Sequence, residues 1–333
     1  MKSMLDHGAL VISLDYELMW GLIDVFTKDG YGQTNVKHVP EVIDRMLALF
    51  EKYGVHVTFA TVGMIMCRDS EQLLQVAPAV RPTYSIKELS PYENSYIEKI
   101  KPREQCLFFQ PEVVAKLKNH AGVEVATHTF CHFYCWAEGQ TIEQFEADLL
   151  KAIEVAKGNG IELRSIVFPR NEVSASHLAI CAKHGILAYR GNALKYFDEP
   201  KSRIAAIKSR VCRLLDSYVN IGGCTSVPYA EINVDEAPMN LRASRLLRPC
   251  SKRLFAFEGL RLRRIKKEMA YASQHNEMYH LWWHPHNFGG DIEANMAFLE
   301  RVLQCYAECH ERYGMQSYTM NEMYRKLKQQ HNG

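Results

Sequence analysis

No stretch of this 333-residue chain holds the 18 or so consecutive apolar residues that a membrane-spanning helix needs. Its first residues, MKSMLDHGALVISLDYE, offer neither the apolar segment nor the cleavage site of a secretory signal. A cytoplasmic location is therefore expected, with peripheral association at the inner face of a membrane left open. Net charge is nearly absent too: 40 Lys and Arg against 38 Asp and Glu leave +2, which neither demands nor excludes an anionic partner. Repeats, low-complexity tracts and linkers rich in Pro, Gly or Ser are missing, so no seam between domains is visible. The ten cysteines lack the spacing of a disulfide framework and, scattered through a chain this long, read as reduced thiols. What the chain does have is 47% hydrophobic residues, enough for a sizeable core.

The apolar residues alternate between two periods. VISLDYE, residues 11–17, reads as a buried strand closing in carboxylates. PEVIDRMLALFEKYG follows with Val42, Ile43, Met46, Leu47 and Phe50 at helical spacing, and VHVTFATVG, residues 55–63, is β-branched and aromatic like a second buried strand. Such a β-α-β unit begins a parallel sheet. Residues 67–110, with Pro78, Pro82, Pro91 and Pro102, break the rhythm and read as an insertion: a lid or wall beside a site, or a surface excursion. The rhythm returns with the helix PEVVAKLKNHAG, the strand EVATHT and the helix of residues 141–160, where Thr141 and Gln144 fit a capping box. LRSIVFPRN, SASHLAICAKHG and ILAYRGN continue it as strand, helix and strand. A second insertion is expected over about 194–275, before HLWWHPHNF, a long helix from Ile292 and a final short strand and helix. Six or seven such units without a linker favour one barrel-like α/β domain over two domains.

Three strand ends concentrate the chemistry. His128 and His132 sit where EVATHTFCHFYC leaves its strand, a spacing that places two imidazoles on one ion if the loop curls back. Asp15 and Glu17 project from the same side of the first strand, so that one can ligate an ion while the other accepts a proton from its water. HLWWHPHNF adds His284 and His286. Neutral histidines with a carboxylate suit Zn2+, with Co2+, Ni2+, Mn2+ and Fe2+ as competitors.

These segments resemble the polysaccharide deacetylases of carbohydrate esterase family 4, the NodB homology domain, and within it members encoded among bacterial surface-polysaccharide genes. The resemblance runs over about 9–191 and 280–325. The family's His-[Ser/Thr]-x-x-His motif is matched by His128-Thr129-Phe130-Cys131-His132, and its Phe-Val-Gly strand end resembles Thr61-Val62-Gly63. Its first motif, usually Phe-Asp-Asp-Gly, stands here as Leu14-Asp15-Tyr16-Glu17, similar to a branch with Asp-x-Asp or Asp-x-Glu. The resemblance implies a distorted (β/α)7-type barrel, single-domain with insertions, that removes the N-acetyl group of an amino sugar. It makes Asp15 the base, Glu17, His128 and His132 the metal ligands, Arg170 of Phe168-Pro169-Arg170-Asn171 the arginine that orients the base, and His284 the acid with His286 its rival. A backbone N–H near Asn171 would help hold the oxyanion, and Asp216 in LLDSYVN is a candidate for the family's tryptophan-bearing fourth motif. The expected partner is an N-acetylated sugar, as a nucleotide-sugar or lipid-linked glycan. The rival readings are a C–N hydrolase on a small non-sugar amide and a catalytically silent glycan-binding protein.

Residues 242–268 hold ten Lys and Arg against Glu258 and Glu268. Clustered, they would receive a diphosphate or rest on an anionic membrane surface; spread out, they are a solvated helix face. No recognition motif supports nucleic acid. Cys131 and Cys135 read as small side chains near the core, and Trp282 and Trp283 as a sugar platform or as core.

Overall fold

A computed structural model describes residues 5–193, 212 and 214–332. Strand β1 (Ala9–Tyr16) is buried over all eight residues, as a strand in a parallel sheet covered on both faces must be. It is flanked in parallel by β9 (Glu277–Trp283) on one side. On the other lie β2 (Val57–Thr61), paired with its later residues, and β10 (Gln316–Tyr318), paired with its first ones. The sheet continues through β3 (Val123–Thr127), β4 (Ser165–Ile166), β5 (Ala188–Tyr189) and β7 (Met239–Asn240), all parallel. The short β8 (Arg245–Leu246) lies parallel to β9, and β6 (Val227–Pro228) is antiparallel to it.

The segment from Met239 to Leu247 joins the two ends of this sheet. Leu241 and Ala243 donate to the carbonyls of Tyr189 and Gly191 at 2.9 Å, whereas Ser244 and Leu247 donate to those of His280 and Trp282 at 2.8 Å. The sheet thereby curls into the distorted barrel that the sequence predicts. Helices cover the outside: α1 (Val39–Tyr53), α2 (Ser70–Val76), α3 (Pro111–Asn119), α4 (Ile142–Gly158), α5 (Ala175–Lys183), α6 (Glu258–His275) and α7 (Ile292–Tyr313). Helix α1 presents Val42, Ile43, Met46, Leu47 and Phe50 to the core and stops at Gly54, whose φ of +63° suits a residue without a Cβ. Thr141 and Gln144 form the expected capping box on α4.

Strand periodicity then separates two environments. Leu10, Ile12, Leu14 and Tyr16 of β1 pack outward against the helices, whereas Ala9 and Val11 face inward with Ala60, Ala126, Val167, Ala188 and Met278. Helix α8 (Met320–Asn332) closes the bottom of this inner layer with Met320, Met323 and Leu327. Above it the inward positions turn polar: Ser13, Asp15, Arg190 and His280 are all buried. Small apolar residues fill the floor, and the polar ones sit at the carboxyl ends of the strands, where parallel barrels place their sites.

Residues 67–110, for which a lid or wall and a surface excursion both stood open, pack as a wall: Tyr84, Ile97, Leu107 and Phe108 are buried, Tyr84 Oη accepts from Tyr134 N at 2.9 Å, and Gln110 Oε1 accepts from Tyr16 Oη at 2.6 Å. The stretch 194–275, expected as an insertion, supplies β6, β7, β8 and α6, so the rhythm resumes near 239; its residues 194–211 and 213 lie outside the described ones. The repeating pattern was hidden because β7 and β8 are only two residues each. Among the described residues no helix is long and apolar enough to cross a membrane.

Candidate active site

Asp15 is the last inward residue of β1, and Glu17 follows it past the strand end. Asp15 receives both terminal nitrogens of Arg190, at 2.6 and 2.7 Å, from just beyond β5. Arg190 is held on its other sides: it donates to Ser13 Oγ at 3.1 Å and to Asn171 Oδ1 at 2.9 and 3.2 Å, and lies 4.2 Å above the ring of Trp282. Below, His280 donates from Nδ1 to the Leu241 carbonyl at 3.0 Å, which leaves Nε2 to accept from Ser13 Oγ at 2.9 Å. Burial opposes the charge on Asp15, but Arg190, His284 and His128 outweigh it and hold the carboxyl below its ordinary value.

Glu17 is the hub. Its Oε2 lies 3.1 Å from His132 Nε2 and 3.5 Å from His128 Nε2, and its Oε1 lies 3.1 Å from His286 Nε2 and 3.7 Å from His284 Nε2. His284 Nε2 is also 3.6 Å from Asp15 Oδ2. Burial works against the charge of Glu17, yet His284 and the bonds from His128, His132 and His286 hold it well below the usual carboxylate range. Burial likewise lowers His132 and His284, favouring neutral imidazoles. The carboxylate enters this ring only because residue 21 is glycine: a Cβ there would lie 2.3 Å from Glu17 Cδ.

The loop after β3 is pinned for its task. Asp148 of α4 accepts from Phe130 N at 2.7 Å and Cys131 N at 3.0 Å, and Thr129 Oγ1 accepts from Phe133 N at 2.7 Å. Thr129 and His132 both have positive φ, at 63° and 60°, as do Leu18, Arg170 and Asn171. Among the described residues eight non-glycine positions are left-handed and five of them adjoin this site, which is where backbone strain is retained when geometry matters.

The donor set suits a divalent metal ion. His128 Nδ1 faces the Val167 carbonyl at 2.8 Å and must donate to it, which leaves Nε2, the nitrogen facing Glu17, as the atom available to an ion. His132 Nδ1 is buried with no hydrogen-bond partner among the described residues. Glu17, His128 and His132 form one cluster able to hold an ion, and Glu17, His284 and His286 form a second that shares the carboxylate. Imidazole nitrogens gathered on one buried carboxylate are the N/O donor set that a divalent cation takes.

The sequence residues Asp15, Glu17, His128, His132, His284 and His286 therefore meet at one mouth. Arg170 does not join them at Asp15. It pairs with Asp24 and lies 4.1 Å above the ring of Tyr134, because the left-handed turn at 170–171 aims it along the rim. Arg190 occupies the place beside Asp15. The sequence signal for it was a lone cation closing the strand ILAYRGN, where the reading followed the proline-arginine pair after β4 instead. The Asn171 N–H donates to the Phe168 carbonyl at 2.8 Å and is not free for an oxyanion. Asp216 binds the N–H groups of Ile221 and Gly222 and faces Arg245 and Arg264, away from Arg190. Trp283 is core, Trp282 is half-buried against Arg190, and Cys131 and Cys135 are buried free thiols pushed well up by burial. Trp136, missed in the sequence, is 56% exposed on the rim, with its backbone N–H on Glu172 and its indole N–H on Val173 O.

No protein-family model matches the sequence, and no curated protein matches it. Solved structures do. A putative polysaccharide deacetylase from Mycobacterium smegmatis superposes with a TM-score of 0.60 at 14% identity, over 98% of this chain and 92% of its own. A probable polysaccharide deacetylase from Pseudomonas aeruginosa PAO1 gives 0.56 at 13%, over 98% and 92%, and PuuE allantoinase gives 0.55 at 13%, over 98% and 91%. Identities this low speak for architecture, and the architecture is that of the polysaccharide deacetylases: the chain has their fold.

Proposed function

We propose that this protein is a divalent-metal-dependent amide hydrolase, most simply with Zn2+, that removes the N-acetyl group of an amino sugar in a surface-polysaccharide precursor such as O-antigen or capsule. The observation that carries this reading is the ring of imidazole nitrogens around Glu17, with the Asp15–Arg190 pair beside it. Glu17, His128 and His132 would hold the ion, which supplies a Lewis acid for the amide carbonyl and a water of lowered pKa. Arg190 keeps Asp15 ionised and fixed, so that its carboxylate takes the proton of the attacking water. His284, 23% exposed at the mouth, then protonates the departing nitrogen, without which an amine is a poor leaving group. Trp136 on the rim offers a face on which a sugar ring stacks.

The test is acetate release from N-acetylated sugars, free, nucleotide-linked and lipid-linked, by metal-loaded protein. Turnover that is lost in Asp15→Asn and His284→Ala supports the reading. Because PuuE allantoinase shares the fold, a cyclic ureide is the second substrate to assay; its opening without any acetate release would replace the sugar reading.

The partner surface is narrower than the basic sequence suggested. Arg245 pairs with Glu268, Arg261 with Glu258, Arg264 with Asp216 and Glu268, Arg242 with Glu231 and Lys266 with Glu308. Lys252, Arg253, Arg263 and Lys267 remain exposed, with no ion pair recorded among the described residues. Beside them Phe255 is 74% exposed, Phe257 50% and Val219 57%. An open groove of about 470 Å³ between Tyr218–Asn220 and α6 is lined by Leu260, Arg263 and Lys267. Since β8 runs parallel to β1 and β9, the 247–257 loop leaves the barrel on the side of the site. Cations interleaved with exposed aromatics fit the surface of an anionic bilayer, which would bring the mouth to a lipid-linked substrate from the cytoplasmic side.

A further inference from the structure

Arg170 stands outside the catalytic network yet beside the mouth. Its guanidinium lies 4.1 Å above the ring of Tyr134, and that ring stands edge-on to His132 with centres 5.0 Å apart. One ring therefore bridges Arg170 and a residue of the Glu17 cluster. Tyr134 is itself fixed, because its N–H donates to Tyr84 Oη of the packed wall at 2.9 Å. The turn that carries Arg170 has two consecutive left-handed residues and faces both ways: Asn171 turns inward to Arg190, and Arg170 turns outward to Asp24 of the β1–α1 loop. Strain of this kind is kept where the geometry it secures is used.

What this corner offers a ligand is set by its unused atoms. A guanidinium has five N–H donors, and the one protein bond of Arg170 among the described residues runs from Nη2 to Asp24 Oδ2. Asp24 Oδ1 has no hydrogen-bond partner among them, and the two side chains are 41% and 19% exposed. Trp136 lies on the neighbouring loop, exposed yet held by its backbone N–H on Glu172 and its indole N–H on the Val173 carbonyl. Asp24 and Glu172 both act on the single guanidinium, so the corner carries more carboxylate than cation and does not favour an anion. Free donors next to a free acceptor, beside an aromatic face, match a neutral sugar. Its adjacent hydroxyls each donate and accept, and its C–H face is apolar.

We propose that Asp24 and Arg170 are specificity-determining residues that read two adjacent hydroxyls of a neutral sugar stacked on Trp136, Arg170 donating to one hydroxyl oxygen and Asp24 accepting from its neighbour. The inference rests on the sugar-amide reading above and adds to it the chemical class of the residue at the mouth. That class is an uncharged N-acetylated sugar with free adjacent hydroxyls, not a uronate or a sugar phosphate. The stack on Tyr134 holds the guanidinium in advance, so little side-chain freedom is lost when the sugar binds.

The experiment gives zinc-loaded, full-length protein the methyl glycosides of N-acetylglucosamine and N-acetylgalactosamine, their deoxy forms lacking one of two adjacent ring hydroxyls, and their phosphate and uronate derivatives. It reads acetate release and, independently of turnover, the shift in tryptophan fluorescence on titration. Wild type is compared with Asp24→Ala, Arg170→Met and Trp136→Ala, with thermal melts as a check on folding. In the wild type, removing one hydroxyl should lower kcat/KM roughly tenfold, the worth of one hydrogen bond. Asp24→Ala and Arg170→Met should lose a similar amount, chiefly through KM, and each should treat the intact sugar and one deoxy form alike. The fluorescence shift should vanish in Trp136→Ala. If both variants discriminate against the deoxy sugars as the wild type does, the pair only ties two loops together and the inference fails, while acetate release keeps the hydrolase reading. A preference for the phosphate or uronate that Arg170→Met abolishes would also overturn it, by making Arg170 an anion site. If no sugar releases acetate or shifts the fluorescence, the sugar reading falls and the inference with it.

Discussion

Arg190 meets Asp15 across the inside of the barrel, from the end of β5 to the end of β1, through two hydrogen bonds of 2.6 and 2.7 Å between side chains that are 0% and 5% exposed. A buried pair of this kind is kept only when its remaining polar atoms are satisfied. Ser13 and Asn171 do that for the guanidinium, and His280 does it for Ser13. Asp15, its partner and two supporting layers thus form one connected network drawn from β1, β4, β5 and β9.

Removing Arg190 should therefore harm both fold and chemistry. Arg190→Ala leaves a buried carboxylate unpaired, which costs about 3–5 kcal/mol of stability. Arg190→Lys retains the charge but cannot make the two-pronged contact, so it should keep most of the stability and lose about 100-fold in kcat. Denaturant melts and steady-state kinetics on both variants check this; a lysine variant with wild-type kcat would show that the fork does not position the base.

The barrel was legible because its strand ends and helix faces follow periods of 2 and 3.6, and because α1 ends at Gly54 and α4 begins at Thr141, where caps stand in the sequence. The cluster around Glu17 was legible because each strand involved closes in a carboxylate or histidine. Arg190 was not, since a bond between residues 175 positions apart depends on which strands face each other across the barrel. The ten cations of 242–268 could not be sorted by sequence either: burial of Arg261 and Arg264, and the partial burial of Arg245, depend on how α6 packs against 214–224 and the sheet. The pairing of Asn287 with two histidines through Tyr31 is likewise visible only when the β1–α1 loop has folded over the β9 turn.

Gly21→Ala should uncouple the site from the fold. The new Cβ would overlap the Glu17 carboxylate, at 2.3 Å from Cδ and 2.4 Å from Oε2, and only the tip of that side chain has to move. Metal affinity and turnover should drop at least about tenfold while the melting temperature shifts by only a few degrees. Metal analysis beside a thermal melt decides it, and unchanged metal content would mean that Glu17 is not held where its histidines meet.

Acid should weaken the fold through His280. Burial, with Arg190 close by, lowers this imidazole from 6.5 to about 3. A histidine depressed in the folded state contributes its full stability above the unfolded value and loses it as pH falls from 6.5 toward the folded value, because the unfolded chain takes up a proton that the folded one refuses. Between pH 7 and 5 the contribution should fall by about 2 kcal/mol. Urea titrations across that range should show a slope about one proton smaller in His280→Gln than in wild type. Equal slopes would mean that His280 titrates normally in the fold.

The surface formed by Lys252, Arg253, Phe255, Phe257, Arg263 and Lys267 makes the last prediction. Four exposed cations would attract anionic headgroups, and two aromatic side chains at least half exposed would enter the interface below them. The protein should sediment with vesicles rich in anionic phospholipid and not with zwitterionic ones, and about 0.5 M salt should weaken the association. Arg263→Glu with Lys267→Glu should reduce partitioning by roughly tenfold or more, Phe255→Ser with Phe257→Ser should reduce it at every salt concentration, and neither pair should change metal content, because all four residues lie outside the ring around Glu17. Equal binding to both vesicle types would remove the electrostatic argument. Self-association of the wild type that the phenylalanine substitutions abolish, with no vesicle binding, would instead assign this face to a second copy of the chain.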